Sequence, residues 1–469
     1  MARILLIGCN QATSPYHVFP LGLAQVAGAL NSQGHEVRQI DILSSELSIA
    51  ELLAKHASFE PHAIGVSVRN IDDVDSHNIE ANWYLAQTRN VIVEIKKQYA
   101  VPVILGGAGF SLMAEKILEF TGADVGVIGE GETAMPELIK KLSASNWQAT
   151  ALPRVFSAPL LTGDKIPAPL IDHDMGKFYA QKTGIMGIQS KRGCPYGCAY
   201  CSYPLIEGAK LRCREPESVA EQMERAHKDF GVSHFVFCDS VFNDKQGHFL
   251  QVAEAIKKRS LPVHWSGYFR PSHMTKDELE FLQSAGLNAL EIGTDSASDA
   301  TLEGMNKPFT FDDVHHFNSL CTELELAAAH FIIMGGPKED RSTVKTGLRN
   351  IKALTRSVVF VYQGARVLPG TRIEKIARDE GVIAPQDSLL RPVYYHSPLI
   401  SEEEVKVMLE ADFAGDITRL FPPSKADKMD KALRSMGHKG ILWDKLLARP
   451  TGRTRQRSSR ASADRGCNG

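Results

Sequence analysis

The segment Ser190-Lys191-Arg192-Gly193-Cys194-Pro195-Tyr196-Gly197-Cys198-Ala199-Tyr200-Cys201 sets three cysteines at Cys-x3-Cys-x2-Cys spacing in a turn rich in glycine and proline. Three thiolates this close on one loop can ligate three irons of a 4Fe-4S cluster, whereas a structural metal site closes every coordination position with protein. The fourth iron would be left to bind a molecule from solution. A zinc site completed by Cys213 is the competing reading, although zinc ligands usually come as two close pairs and Cys213 has no cysteine or histidine neighbour. Cys9, Cys238 and Cys321 lie in apolar contexts that suit small buried hydrophobes.

The chain that must position this loop has 469 residues, too many for one ordinary core, so two or three domains are expected. Hydrophobic residues at 43% and charged residues at 23% describe a globular protein with no disordered bulk. Eight cysteines without a regular framework argue against a secreted disulfide scaffold and for a reducing compartment, the cytoplasm. Met1 to Gly8 reads as a first strand and not a signal peptide, and no apolar run approaches the ~20 residues of a membrane span. The net charge of -2 conceals a basic tail, 449–469, with six arginines against Asp464. It reads as a disordered, solvated terminus, and no stable nucleic-acid or membrane partner is expected.

Residues 1–150 alternate strand and helix as in a doubly wound Rossmann or flavodoxin-like sheet. Five parallel strands are expected at Ile4 to Gly8, Val37 to Ile42, Ala63 to Val68, Val101 to Gly106 and Val125 to Gly129. Ligands of such sheets bind at the carboxyl ends of the strands. Two of those ends are glycine-rich, Gly106-Gly107-Ala108-Gly109 and Gly129-Glu130-Gly131-Glu132, which lets backbone approach a large flat or phosphate-bearing ligand. Residues 151–183, broken by Pro153, Pro167 and Pro169, read as a linker in which Asp172-His173-Asp174 is loop polarity.

From 184 to 385 the alternation resumes with six strand-like runs, a partial (β/α)6 barrel with the cysteine loop at the end of its first strand. The later strand ends carry Ser240, Arg270, Glu291, Asp295 and the turn Gly335-Gly336-Pro337. Helix capping is the plain alternative for Asp295 and Ser296. Residues 386–448 form a small, mostly helical region with a helix over Glu402 to Leu420 and Trp443 in the core.

The cysteine spacing, with aromatic Tyr200 before the last cysteine, resembles the radical S-adenosylmethionine (SAM) enzymes. The order of domains over 1–385 resembles their cobalamin-binding branch. That resemblance implies Cys194, Cys198 and Cys201 as cluster ligands. It implies SAM on Ser240, Arg270, Glu291, Asp295, Gly335, Gly336 and Pro337, and cobalamin on Gly106, Gly107, Gly129, Glu130 and Gly131. Glu291-Ile292-Gly293-Thr294-Asp295-Ser296 is similar to the family's Glu-x-Gly-x-Glu-Ser, with Asp295 in place of the second acid. The Asp-x-His-x-x-Gly motif of cobalamin mutases is absent from Cys9-Asn10-Gln11-Ala12-Thr13-Ser14-Pro15-Tyr16-His17, and neither His17 nor His77 is expected to be an axial ligand.

The resemblance implies reductive cleavage of SAM to a 5'-deoxyadenosyl radical and modification of an unactivated carbon, by C-methylation or by radical rearrangement. It implies an electron donor such as flavodoxin or ferredoxin. Segments 67–74 and 293–298 carry a faint similarity to members acting in bacterial lipid biosynthesis, which makes a lipid or secondary metabolite the expected substrate. Two alternatives stay open at this point. A methylthiotransferase-like enzyme on nucleic acid normally has a second cysteine trio upstream, and here that region has only Cys9. A non-catalytic cluster- or corrinoid-binding module would need no hydrogen-abstraction pocket.

Overall fold

The computed structural model describes residues 1–13, 16–80, 83–272 and 274–447. Ser14, Pro15 and the basic tail lie outside the described residues.

The first domain is a parallel sheet whose strands are Arg3–Gly8, Glu36–Asp41, Ala63–Ser67, Val103–Gly106, Val125–Ile128 and Val155–Ser157, numbered one to six here. Their order across the sheet is 2-1-3-4-5-6. This is the flavodoxin-like order with one strand added, and its switch point lies between strands one and three. Five strands were expected. The sixth comes from the segment read as a linker: Val155, Phe156 and Ser157, between Pro153 and Pro159, pair with Gly126 to Ile128. The rest of that segment holds the helix His173–Lys182, whose first turn Asp172 caps by accepting the Met175 N–H at 3.0 Å. Asp172 is therefore a helix cap and not loose loop polarity. Met175, Tyr179 and Ala180 on this helix enter the core of the second domain.

The second domain is an open parallel sheet with strands in sequence order, Ile185–Ile188, His234–Phe237, His264–Phe269, Leu287–Asp295, Ala327–Met334 and Ser357–Gln363. These are the six expected strands of the partial barrel. A two-residue strand, Arg419–Leu420, extends the far edge. It lies where a helix was expected to continue. The helix Glu402–Asp412 stops early, and Gly415 turns the chain at φ +82°.

Period-two alternation sorts the barrel side chains. Phe235, Phe237, Trp265, Leu290 and Ile292 pack outward on helices, with Phe19 and Ala24 of the first domain in the same core. Ala289, Ala329, Val358 and Phe360 face the lumen, where Trp443 and Ile441 pack on them. Tyr16, from the loop after the first strand, packs on Ile185 and Val236. A third core joins the two domains: Val91, Ile95 and Leu118 of the first share it with Val367, Ile373 and Tyr395 beyond the barrel.

Candidate active site

The cysteine loop is built on a short hairpin. Lys191 and Arg192 pair antiparallel with Cys213 and Arg212, which fixes both ends of the excursion that carries the thiols. Gly193, at φ +87°, opens the loop; a Cβ there would sit 2.1 Å from the Lys210 carbonyl oxygen. Glu207 ties the two limbs together by accepting the Gly193 N–H at 3.0 Å and the Ser240 hydroxyl at 3.2 Å. Beneath them Lys191 is buried, donating to Asp244 and to the Phe242 carbonyl, both at 2.8 Å. Asp239 accepts the backbone N–H groups of Ser190 at 2.7 Å and Lys191 at 3.2 Å.

Cys194 is buried, and Cys198 and Cys201 are partly so. Burial pushes the Cys201 thiol up to about 12 and raises Cys194. Such sulfurs become thiolates when a bound cation compensates the charge, which iron does. Cys213 belongs to the hairpin strand, and among the described residues no three His, Cys, Asp or Glu side chains converge on a single metal ion. Three thiols carried by one loop are a donor set that suits a cluster.

Arg270 lies beside this loop. Its guanidinium stacks 3.8 Å above the Tyr196 ring, and Asn243 brackets its backbone, accepting its N–H and donating to its carbonyl, each at 2.9 Å. Arg270 is 9% exposed, and its Nη1 has no hydrogen-bond partner. Its Nη2 donates to the Pro308 carbonyl at 3.4 Å, and a buried guanidinium left with an open donor fits an anionic group such as a carboxylate.

The Glu291–Ser296 motif divides by alternation. Thr294 is fixed by a buried relay. Asn318 donates to the Thr355 carbonyl at 3.1 Å, so its Oδ1 accepts from His330 Nε2 at 3.0 Å, and His330 Nδ1 accepts the Thr294 hydroxyl at 2.7 Å. Burial lowers His330 to about 3, which keeps the imidazole neutral. The strand register shifts between Gly293 and Asp295, and Asp295 takes φ +61°. Ser298, and neither Asp295 nor Ser296, caps the next helix. Asp295 instead accepts the Tyr200 hydroxyl at 2.5 Å and forms an ion pair with Lys307.

Glu291 faces the lumen, where burial pushes its carboxyl up to about 7. Its charge is the largest influence raising Tyr268 and, after burial, the next one raising Tyr16, so the three groups share one space. Cys238, expected as a plain core thiol, borders the same space. The Gly335-Gly336-Pro337 turn packs on protein: both glycine N–H groups donate to Glu339, and a Cβ on Gly336 would lie 2.4 Å from Met305 Cε.

In the first domain, Gly107 at φ +104° lets its loop lie on the one after strand three, where a Cβ would meet the Val68 oxygen at 2.5 Å. Gly106 has only ordinary contacts, and Gly131 packs on Val26. Gly129, at φ +76°, has open space on its Cβ side. Glu130, expected to face cobalamin, is buried instead in a domain junction. It pairs with Arg192 at 3.1 Å and Arg212 at 2.7 Å and accepts the Leu161 N–H. His17 is tilted against Phe178, and His77 stands edge-on to Phe421.

Reading the residues by type missed Glu207 and Lys307. Glu207 had a signal in its closeness to the loop; Lys307 lies 109 residues from Cys198, with nothing in its spacing to connect them.

A flavodoxin-like sheet followed by a parallel partial barrel with a three-thiol loop at its first strand defines a cluster-dependent enzyme with a second, corrin-type domain. Residues 9–139 match the B12 binding domain family model, and residues 188–350 match that of the Radical SAM superfamily. The chain belongs to the radical SAM enzymes that carry a B12-binding domain. It is 24% identical to an uncharacterised methyltransferase of Pyrococcus horikoshii, over 84% of this chain and 86% of that one. Identity to a tryptophan 2-C-methyltransferase of Streptomyces laurentii is 22%, over 94% and 88% of the two chains. The fold superposes with TM-score 0.81 and 21% identity on a radical SAM methyltransferase of Kitasatospora setae solved with cobalamin and a 4Fe-4S cluster, covering 95% of this chain and 97% of that one. No helix among the described residues is long and apolar enough to cross a membrane.

Proposed function

We propose that this protein methylates an unactivated carbon of a small planar molecule bound between its two domains. One observation carries the reading: the ligand-binding edges of both sheets are fastened face to face. Ser76, beyond the third strand of the first domain, donates to the Gln363 carbonyl at the end of the sixth barrel strand at 2.7 Å. Asp72 of the same loop pairs with Arg366 at 2.8 Å, and both are buried.

When bound, the cluster and SAM supply one-electron chemistry at carbon and cobalamin supplies the methyl group. The chain does the rest. Cys194, Cys198 and Cys201 hold the cluster, Arg270 takes the carboxylate of SAM, and the open side of Gly129 receives the corrin. Tyr16 and Tyr268 line the lumen around Glu291, whose carboxyl can accept a proton near neutral pH. Tyr203 and Tyr268, 44% and 40% exposed, offer phenol faces that suit a flat ring better than a long saturated chain. A low-potential flavodoxin or ferredoxin in the cytoplasm would deliver the electron.

The test uses full-length protein reconstituted anaerobically with iron and sulfide, loaded with hydroxocobalamin and given methyl-labelled SAM, a reductant and a cell extract. Expected results are a brown protein with about four irons per chain, a shifted corrin spectrum, and carbon-bound label in the polar extract. Cys198→Ala should remove all label transfer. A colourless, zinc-loaded protein or an unchanged corrin spectrum would overturn the reading, and label in the lipid extract would reassign the substrate to a lipid.

A further inference from the structure

Lys307 lies far in sequence from the cysteine loop, yet its backbone is docked along it. Asn306 Nδ2 donates to the Gly197 carbonyl at 2.6 Å, and the Ala199 N–H donates to the Met305 carbonyl at 2.9 Å. Residues 305–307 therefore track residues 197–199, and the Lys307 ammonium reaches Cys198 Sγ at 3.0 Å and the Tyr200 hydroxyl at 3.4 Å. The Lys307 and Asp295 side chains, an ion pair, are each 8% exposed. Asp295 also accepts the Tyr200 hydroxyl at 2.5 Å. Each member of this group thus has its position fixed by the other two, and one N–H of the lysine is directed at sulfur.

We propose that Lys307, held by Asp295 and Tyr200, is a positioning residue that raises the reduction potential of the cluster through its hydrogen bond to Cys198. The inference rests on the cluster assignment made above. Reduction adds one electron to a thiolate-ligated cluster and breaks no bond, so the added charge is shared with the sulfurs. A donor aimed at one sulfur stabilises the reduced form more than the oxidised form, and hydrogen bonds to sulfur are an established lever on cluster potential. Lys307 and Asp295 nearly cancel in net charge, so the effect is directional. Asp295, engaged by Lys307 and Tyr200, acts here as the lysine's counter-ion instead of as a ligand for the SAM ribose.

The experiment is an anaerobic redox titration of reconstituted full-length protein, followed by electron paramagnetic resonance of the reduced cluster, with dithionite or titanium(III) citrate as reductant. Lys307→Met should retain about four irons per chain and show a reduced-to-oxidised ratio at least tenfold lower at any fixed potential, equivalent to ~59 mV for a one-electron couple. Lys307→Arg should restore most of the shift. Tyr200→Phe, which frees one oxygen of Asp295 and loosens the lysine, should move the potential in the same direction by less. Lys338→Met, at an exposed lysine paired with Glu303 at 3.0 Å, is the control and should match the native protein. Native potentials in both Lys307→Met and Tyr200→Phe would overturn the inference. So would loss of iron in Lys307→Met alongside a native potential in Tyr200→Phe. A native protein that binds no iron would instead overturn the cluster assignment itself.

Discussion

A carboxyl buried among phenols is the group in this lumen whose charge changes near neutral pH. Burial pushes Glu291 from an ordinary 4.5 to about 7. Between those values the folded protein holds a proton that the unfolded chain releases. The stabilising protonated form is therefore fully populated below about pH 4.5, and its contribution is lost as pH rises through 7, a change on the order of 3 kcal/mol. Glu291→Gln cannot ionise, so its stability relative to the native protein should rise by a similar amount between pH 5 and pH 8, measured by denaturant unfolding at each pH. A difference that stays flat with pH would place Glu291 in a wetter setting. The sequence marked Glu291 through its motif and marked the three cysteines through their spacing, because those signals are local. It could not mark Lys307 or the withdrawal of Glu130 into an ion-pair junction, because both depend on which distant residue folds against them.

At the scale of elements, the hairpin beneath the thiols does the positioning. Gly193 is required twice over, by its left-handed backbone and by the 2.1 Å approach of the Lys210 oxygen to any Cβ. Gly193→Ala should cost roughly 2–4 kcal/mol and displace Cys194, whose N–H donates to the Gly208 carbonyl at 3.0 Å. Iron content after reconstitution should fall well below half of the native value while the far-ultraviolet circular dichroism stays native; full iron retention would show that the hairpin tolerates rearrangement. The strand and helix alternation was legible because apolar runs of period two and 3.6 differ over a few residues. The sixth strand of the first sheet was hidden by its three-residue length, and the premature end of the helix Glu402–Asp412 by a polar stretch that suits either state.

At the scale of the molecule, the two domains share an apolar core and two buried ionic junctions, Asp72 with Arg366 and Glu130 and Glu132 with Arg192. Neither junction was foreseeable from sequence, since Asp72 and Arg366 stand 294 residues apart. A buried pair contributes modestly to net stability, but removing one partner leaves an uncompensated charge that costs about 3–5 kcal/mol. Arg366 also donates to the carbonyls of Val367 and Leu389, so it ties the loop after strand three to the segment that follows the barrel. Arg366→Met should therefore lower stability by about 3–5 kcal/mol, read as a fall in the calorimetric midpoint. Asp72→Asn combined with Arg366→Met should recover part of the loss, because no unpaired carboxylate remains in the junction. A double variant as unstable as the sum of the single ones would mean that the guanidinium's carbonyl contacts, and not the ion pair, hold the two ligand-binding edges together.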